Sequence, residues 1–418
     1  MPGASRGWPA AVAAAAALAV GAFVPFPAQA PPTPVSGLQN ASVATVEQEW
    51  EAVLRDRARA VLTRNETAFT ASLDPAAPAD FQRRQRELFH NLAEVPLAEW
   101  DYEVRAGSDA SVRSANPDVV LRYALAGVDA VPTERPMGFA FTRRDGRWFV
   151  SDDARARGQE WRGPWDFGPC RVRITPHGVI IGHDGTEELA DRLAGELDSA
   201  VAAVTDVWGP DWRRQVGVLL PRSQEELREL VGAEFAVDGI AAVAVADEVN
   251  IASRHVEGPR VVFNTATADR LSDTSLRVVL RHEMTHVAAR ADTADGAPMW
   301  LLEGFADYVG YRGSGLSPER IAPDLARQVR TGELPEGPPD DQDFHTSGHG
   351  LDAAYQRSWS LVEHLVRRVG EPKTVELYRR IASAGTPSEV DSALRELAGL
   401  STAELVESWR TELHDRFR

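Results

Sequence analysis

Hydrophobic residues recur every three or four positions through Val46, Trp50, Val53, Leu54, Ala58 and Val61, which predicts a helix over Val43–Leu62. A second helix is expected over Ala79–Leu92. The pattern then changes to alternation in Trp100–Val104, Val119–Ala126, Met137–Arg143 and Arg147–Val150, with Asp145-Gly146 as the turn before the last strand. Further on, Val172–Ile174 and Val179–Ile181 predict a hairpin. Leu189, Leu193, Leu197, Val201 and Val204 mark a helix capped by Thr186. Val216–Leu220 reads as a strand, and Ser223–Glu226 as a capping box opening a helix. Ile240–Ile251 and Val261–Phe263 read as further strands. Helices follow near Pro318–Val329, over Leu351–Val369, and within Glu371–Ser383 and Ser401–Phe417.

Between the last strands and those helices the pattern breaks in an informative way. Leu276, Val279, Leu280 and Val287 form an apolar stripe, with Arg277, Arg281 and Ala288–Ala289 expected away from it. Glu283 falls inside that stripe, where an unpaired carboxylate is costly. Pro298 suits a helix start. From Trp300 to Val309 the next helix is apolar nearly all round, hence buried, and only Glu303 and Asp307, four apart, interrupt it. Gly304 would let the two helices approach closely.

Those charges belong to a motif. His282-Glu283-Met284-Thr285-His286 is an HExxH pentapeptide, and Glu303 lies seventeen positions after His286. Residues i and i+4 share one helix face, so both imidazoles can aim at a single ion. Zinc in catalytic sites takes three protein ligands and a water. His282, His286 and Glu303 supply the three. Glu283, beside the first ligand, can reach that water as general base, and Asp307 can hold a histidine ring through its other nitrogen.

Composition narrows the setting. The 418 residues suffice for two or three domains, and 43% hydrophobic with 26% charged residues fits a globular protein. A formal charge of −17 without a basic block argues against a nucleic-acid partner. Cys170 is the single cysteine, which excludes an intramolecular disulfide and a cysteine-based zinc site; a buried, inert thiol is expected. Lys373 is the only lysine, a coding bias without functional content.

The chain is expected to divide as follows. Residues 1–30 have the parts of an export signal: Arg6, the apolar run Ala10–Val24, and Ala28-Gln29-Ala30 as a cleavage pattern. This predicts a secreted or extracytoplasmic protein. Pro31 would occupy the first mature position, so a retained N-terminal membrane anchor is the alternative. A Pro-rich spacer covers 31–40, an α+β accessory domain 41–155, a Gly- and Trp-containing linker 156–169, and a catalytic unit 170–418, helical from about 298. Helices followed by an antiparallel sheet, closing on Asp-Gly-Arg-Trp, resemble the cone-like nuclear-transport-factor-like fold.

HExxH followed by a helical Trp-x-x-Glu-Gly-x-Ala-x-Tyr resembles the gluzincin metallopeptidases, the peptidase-MA-like group that includes the zinc aminopeptidases and thermolysin. The resemblance runs more loosely from about Cys170 to the C-terminus. It implies a mixed sheet plus the HExxH helix and a helical C-terminal part, Zn2+ as cofactor, and a peptide or protein substrate. By position it assigns His282, His286 and Glu303 as ligands and Glu283 as base. Ala354-Tyr355-Gln356-Arg357-Ser358 is similar to the aminopeptidase segment whose tyrosine donates to the oxyanion, which makes Tyr355 the candidate here. The Gly-x-Met-Glu-Asn phrase that aminopeptidases use for a free N-terminus is absent, and the spacing from His286 to Glu303 is shorter than in well-known members. An endopeptidase is therefore expected.

Extended substrate is expected to add as a strand along Val245–Ala252 or Val261–Asn264. His345 and His349 lie in a Gly-rich stretch and read as surface histidines, and His177, His183 and His255 as turn residues. Two other functions stay open: a zinc-containing scaffold without turnover, and a ligand-binding sensor acting through residues 41–155.

Overall fold

The computed structural model describes residues 19–20, 37–105, 114–153, 161–232, 240–345, 348–383 and 386–418. Most of the expected export signal and spacer, and 156–160 of the linker, fall outside these.

The architecture is α+β, in three successive parts. The N-terminal part opens with α1 (Gly37–Leu62) and α2 (Ala79–Asn91), joined through a short helix at Glu66–Thr70. Two three-stranded antiparallel sheets follow. One is β1 (Leu97–Arg105), β2 (Asp118–Leu125) and β3 (Thr133–Met137); the other is Ser114–Ala115, β4 (Ala140–Arg144) and β5 (Arg147–Asp152). The stretch expected as one strand, Met137–Arg143, thus divides between the two sheets, and Phe139 at the break turns into the core. Asp145 and Gly146 both have positive φ (48° and 83°), the geometry of a tight turn that matches strand twist.

The middle part is a mixed sheet. Its strands are β6 (Arg171–Thr175), β7 (Gly178–Gly182), β8 (Val216–Leu219), β9 (Ala242–Ala246) and β10 (Arg260–Phe263), in the order β9-β10-β8-β7-β6. β7, β8 and β10 are parallel; β6 and β9 run against them. Beyond β9, Ala19–Val20 pair in parallel with Val245–Ala246. The strand runs are apolar on both faces because both faces are covered. Ile180, Val218, Val261 and Ala242 pack under α3 (Glu187–Trp208) and the motif helix α5 (Asp273–Ala289). The alternate residues Val179, Ile181, Val262 and Val243 share a core with Trp100, Tyr123 and Trp165 of the N-terminal side. Across that seam Arg260 grips the buried carboxylate of Asp129, with both N–O distances 2.7 Å.

Several caps differ from expectation. The Thr186 hydroxyl bonds the backbone of His183 and not the helix it precedes. Ser223 does cap α4 (Gln224–Val231) by accepting from the Glu226 amide, 3.1 Å. Glu226 does not complete the box: it turns inward to the ring of His183, 2.8 Å, making a buried pair from a histidine expected in a turn.

The helical part comprises α6 (Met299–Tyr311), α7 (Pro323–Arg330), α8 (His349–Val369), α9 (Glu371–Ala382), α10 (Pro387–Ala398) and α11 (Thr402–Phe417). No described helix is long and apolar enough to cross a membrane.

Candidate metal centre

Three elements build the site: α5, α6 and α8. Ser272 caps α5 by accepting from the Ser275 amide, and Arg277 ties the helix to Glu196 of α3 through two contacts of 2.7 and 2.8 Å. Every residue of His282–His286 is buried, Glu283 completely. The carboxylate in the apolar stripe is therefore inside the protein. Ala288 and Ala289, expected on the outer side, are buried too.

α6 crosses α5 at Gly310, where an added Cβ would lie 2.9 Å from the Val278 carbonyl oxygen. Gly304 serves a different contact: its Cβ would lie 2.5 Å from the carbonyl oxygen of Ser358 on α8. The expectation that Gly304 lets the two motif helices meet is thus corrected. A small residue signals close approach but not which neighbour approaches.

This packing brings the ligand atoms together. His282 Nε2 and His286 Nε2 are 3.1 Å apart, and they stand 3.2 and 3.5 Å from Glu303 Oε2. The circle through those atoms has a radius of about 1.9 Å, so an ion just off their plane meets each at roughly 2.0–2.1 Å, as zinc requires. Glu303 is fully buried, and among the described residues neither of its oxygens has a hydrogen-bond donor. A fully buried carboxylate is costly without a positive partner, and a cation at the shared point supplies one. The residues fit a zinc site.

Asp307 fixes one ring. His282 Nδ1 donates to Asp307 Oδ1 at 2.8 Å, which leaves the Nε2 lone pair for the ligand point. The electrostatics agree with mutual dependence. Burial works against a charge on His282, but the bond to Asp307 and the Glu303 carboxylate 3.2 Å away hold its pKa well above the ordinary value. Burial raises Asp307, with His282 pulling the other way. For Glu303 burial is outweighed by the two imidazoles, which hold it low. Burial pushes Glu283 up to about 7. The rings of His282 and His286 favour its ionised form and the Ala244 amide of β9 adds to them, though neither Glu283 oxygen makes a full hydrogen bond.

Tyr355 is buried on α8 with its ring centre 6.3 Å from that of His282 and 5.5 Å from that of Phe344. β9 lies along the other side, where Ala244, Val245 and Ala246 share a small cleft with His286, Val287 and Arg290. Both expected edge segments carry partners: β10, which holds Val261–Phe263, is paired on both sides, and the outer edge of β9 is taken at Val245–Ala246 by Ala19–Val20. His349 opens α8 and does not lie in a loop. It gathers with Asp324 and Asp352 near the surface, apart from the buried set.

Arg290, Ala244 and the His183–Glu226 pair escaped the sequence reading. Arg290 carried a usable signal, lying four positions beyond His286 where α5 ends.

Residues 214–328 match the family described as "Peptidase of plants and bacteria". No curated relative matches the chain. Among solved structures, an M1 zinc metallopeptidase mutant from Deinococcus radiodurans bound to a Tyr-Ser-Ala substrate is similar at 17% identity and TM-score 0.36, over 64% of this chain and 58% of that one. Native yeast LTA4 hydrolase is similar at 13% identity and TM-score 0.37, over 66% and 43%. The chain thus spans less than two thirds of either structure. The functional reading stands on the family match and the site geometry. The matched segment, about a quarter of the chain, holds the HExxH helix, Glu303 and β9, and so carries the whole His282–His286–Glu303 set.

Proposed function

We propose that the protein is an exported zinc-dependent endopeptidase. The observation that carries the zinc reading is the convergence of His282, His286 and Glu303 within 3.1–3.5 Å, with no donor on the buried Glu303 oxygens. Bound there, zinc supplies Lewis acidity, which lowers the pKa of water and polarises a carbonyl.

The chain's own groups do the rest. Asp307 keeps the proton on His282 Nδ1 and so presents Nε2. Glu283 takes a proton from the attacking water and returns it to the leaving amine nitrogen. Tyr355 donates to the oxyanion of the tetrahedral intermediate. Substrate extends along β9 once the edge held by Ala19–Val20 is freed, as removal of residues 1–30 as an export signal would do; β9 residues line the cleft with His286.

Endopeptidase action is favoured by the absence of the Gly-x-Met-Glu-Asn phrase. Export rests on the composition of residues 1–30. For the N-terminal part we propose a nuclear-transport-factor-like cone, supported by helices that precede two three-stranded sheets.

The test is digestion of peptides blocked at both ends. Internal cleavage supports the proposal. Cleavage confined to peptides with a free N-terminus would replace it with exopeptidase action.

A further inference from the structure

A charged residue interrupts an apolar stripe in a second helix. On α1, Trp50, Leu54 and Val61 are buried at helical spacing, and Arg57 lies in the same row with 1% of its surface exposed. Its Nη1 donates to Ser72 Oγ at 3.3 Å, Nη2 donates to Gln85 Oε1, and the guanidinium carbon sits 3.9 Å from the centre of the Phe69 ring. Nε has no acceptor. Among the described residues no carboxylate lies within ion-pair distance; the nearest link is indirect, through Gln85, whose amide donates to Asp153. Neutral acceptors and an aromatic face offset only part of the cost of burying a cation.

Arg57 borders a cavity of about 710 Å3, walled by Trp100, Tyr102, Phe139, Trp161 and Trp165. That volume lies within the range of small-molecule sites, roughly 300–1,000 Å3, and the aromatic lining with few polar groups is their usual chemistry. Tyr102 accepts the Trp100 indole N–H at 2.9 Å, which leaves its own proton for a ligand oxygen. The remaining charges are placed differently from Arg57. Arg84, Glu87 and Arg162 are 46%, 58% and 41% exposed at the rim. Asp153 is engaged by Arg84 and Gln85, and Asp166 by the Gly163 amide. Among the described residues lining the cavity, the one buried charge without a direct counter-charge is positive.

We infer that this cavity binds a small organic anion, an aromatic or apolar body whose carboxylate or sulfonate meets Arg57. The site is separate from the metal centre and independent of the peptidase reading.

Two probes with related ring systems test it on the full chain: anilinonaphthalene sulfonate, and phenylnaphthylamine, which lacks the sulfonate. Wild type should bind the sulfonate with saturable one-to-one fluorescence, about tenfold or more tighter than the neutral probe. Arg57→Met should abolish that preference. Met137→Trp, which fills the cavity from its wall, should weaken both probes. Absence of one-to-one binding in wild type, no preference for the sulfonate, or unchanged binding by Met137→Trp overturns the inference. So does a folded Arg57→Met that keeps the preference. Should Arg57→Met fail to fold, the wild-type comparison and Met137→Trp decide.

Discussion

His282 Nδ1 and Asp307 Oδ1 are 2.8 Å apart, a contact that joins α5 to α6 across 25 positions of sequence. The contact does two things. It fixes the tautomer and rotation of one ligand, and it gives the buried Asp307 a partner. Asp307→Asn keeps the shape but loses the charge. Zinc affinity should fall about 10- to 100-fold, the usual effect of removing such a support. Competition against a chromophoric chelator measures it; unchanged affinity would show that the ring is held by packing alone.

Glu303→Gln should do more, because it removes a ligand. Zinc should be lost on gel filtration in buffer while the fold is retained, since the substitution also removes the cost of a buried charge. Circular dichroism and metal content, read together, separate loss of zinc from loss of structure.

Tyr355 packs beside the His282 ring and is not one of the converging ligand atoms. Tyr355→Phe should therefore leave zinc content and KM unchanged and lower kcat by roughly 10²–10³, the scale of losing one oxyanion donor. A change in KM alone would mean that the hydroxyl binds substrate in the ground state.

Gly304 and Gly310 offer a comparison within one helix. A Cβ at Gly304 would meet the Ser358 backbone at 2.5 and 2.7 Å, and one at Gly310 would meet the Val278 oxygen at 2.9 Å. Backbone cannot swing aside as a side chain does. Gly304→Ala should cost about 1–3 kcal/mol in urea melts and reduce activity, because α6 carries Glu303 and α8 carries Tyr355. Gly310→Ala should cost less. The reverse order would argue against the α6–α8 contact.

The Glu196–Arg277 pair gives a pH signature. The bonds from Arg277 hold the Glu196 carboxyl below its ordinary value, with burial working against them. A folded-state pKa below the unfolded one contributes stability that is complete above the unfolded value, about 4.5, and is lost as pH falls through the folded value. Both side chains are partly exposed, so the contribution is roughly 0.5–1 kcal/mol. Glu196→Gln should lower stability by that amount near neutrality and converge with wild type in acid.

Much of the metal centre was legible because charge in an apolar stripe is expensive and therefore informative. Glu283, Glu303 and Asp307 announced themselves that way. Arg57 carries the same signal, a charge within the buried row Trp50–Leu54–Val61. No helix was expected at α10, although Thr386 and Glu389 form a reciprocal capping box with Pro387 at the first turn. Other features were not legible. His183 and Glu226 lie 43 positions apart in unremarkable local sequence, and only tertiary packing buries them together. Likewise, no local pattern reveals that alternate strand residues such as Val179 and Val262 face the N-terminal core.

The central claim is that His282, His286 and Glu303 hold a zinc ion which, with Glu283, hydrolyses peptide bonds. Zinc content and cleavage of an unfolded protein substrate, measured together on wild type and Glu283→Gln, test it most directly. One zinc per chain in both proteins is expected, with cleavage by wild type and a loss of about 10²–10⁴-fold or more in the variant. Stoichiometric zinc with no cleavage by either protein, or cleavage undiminished in Glu283→Gln, would contradict it.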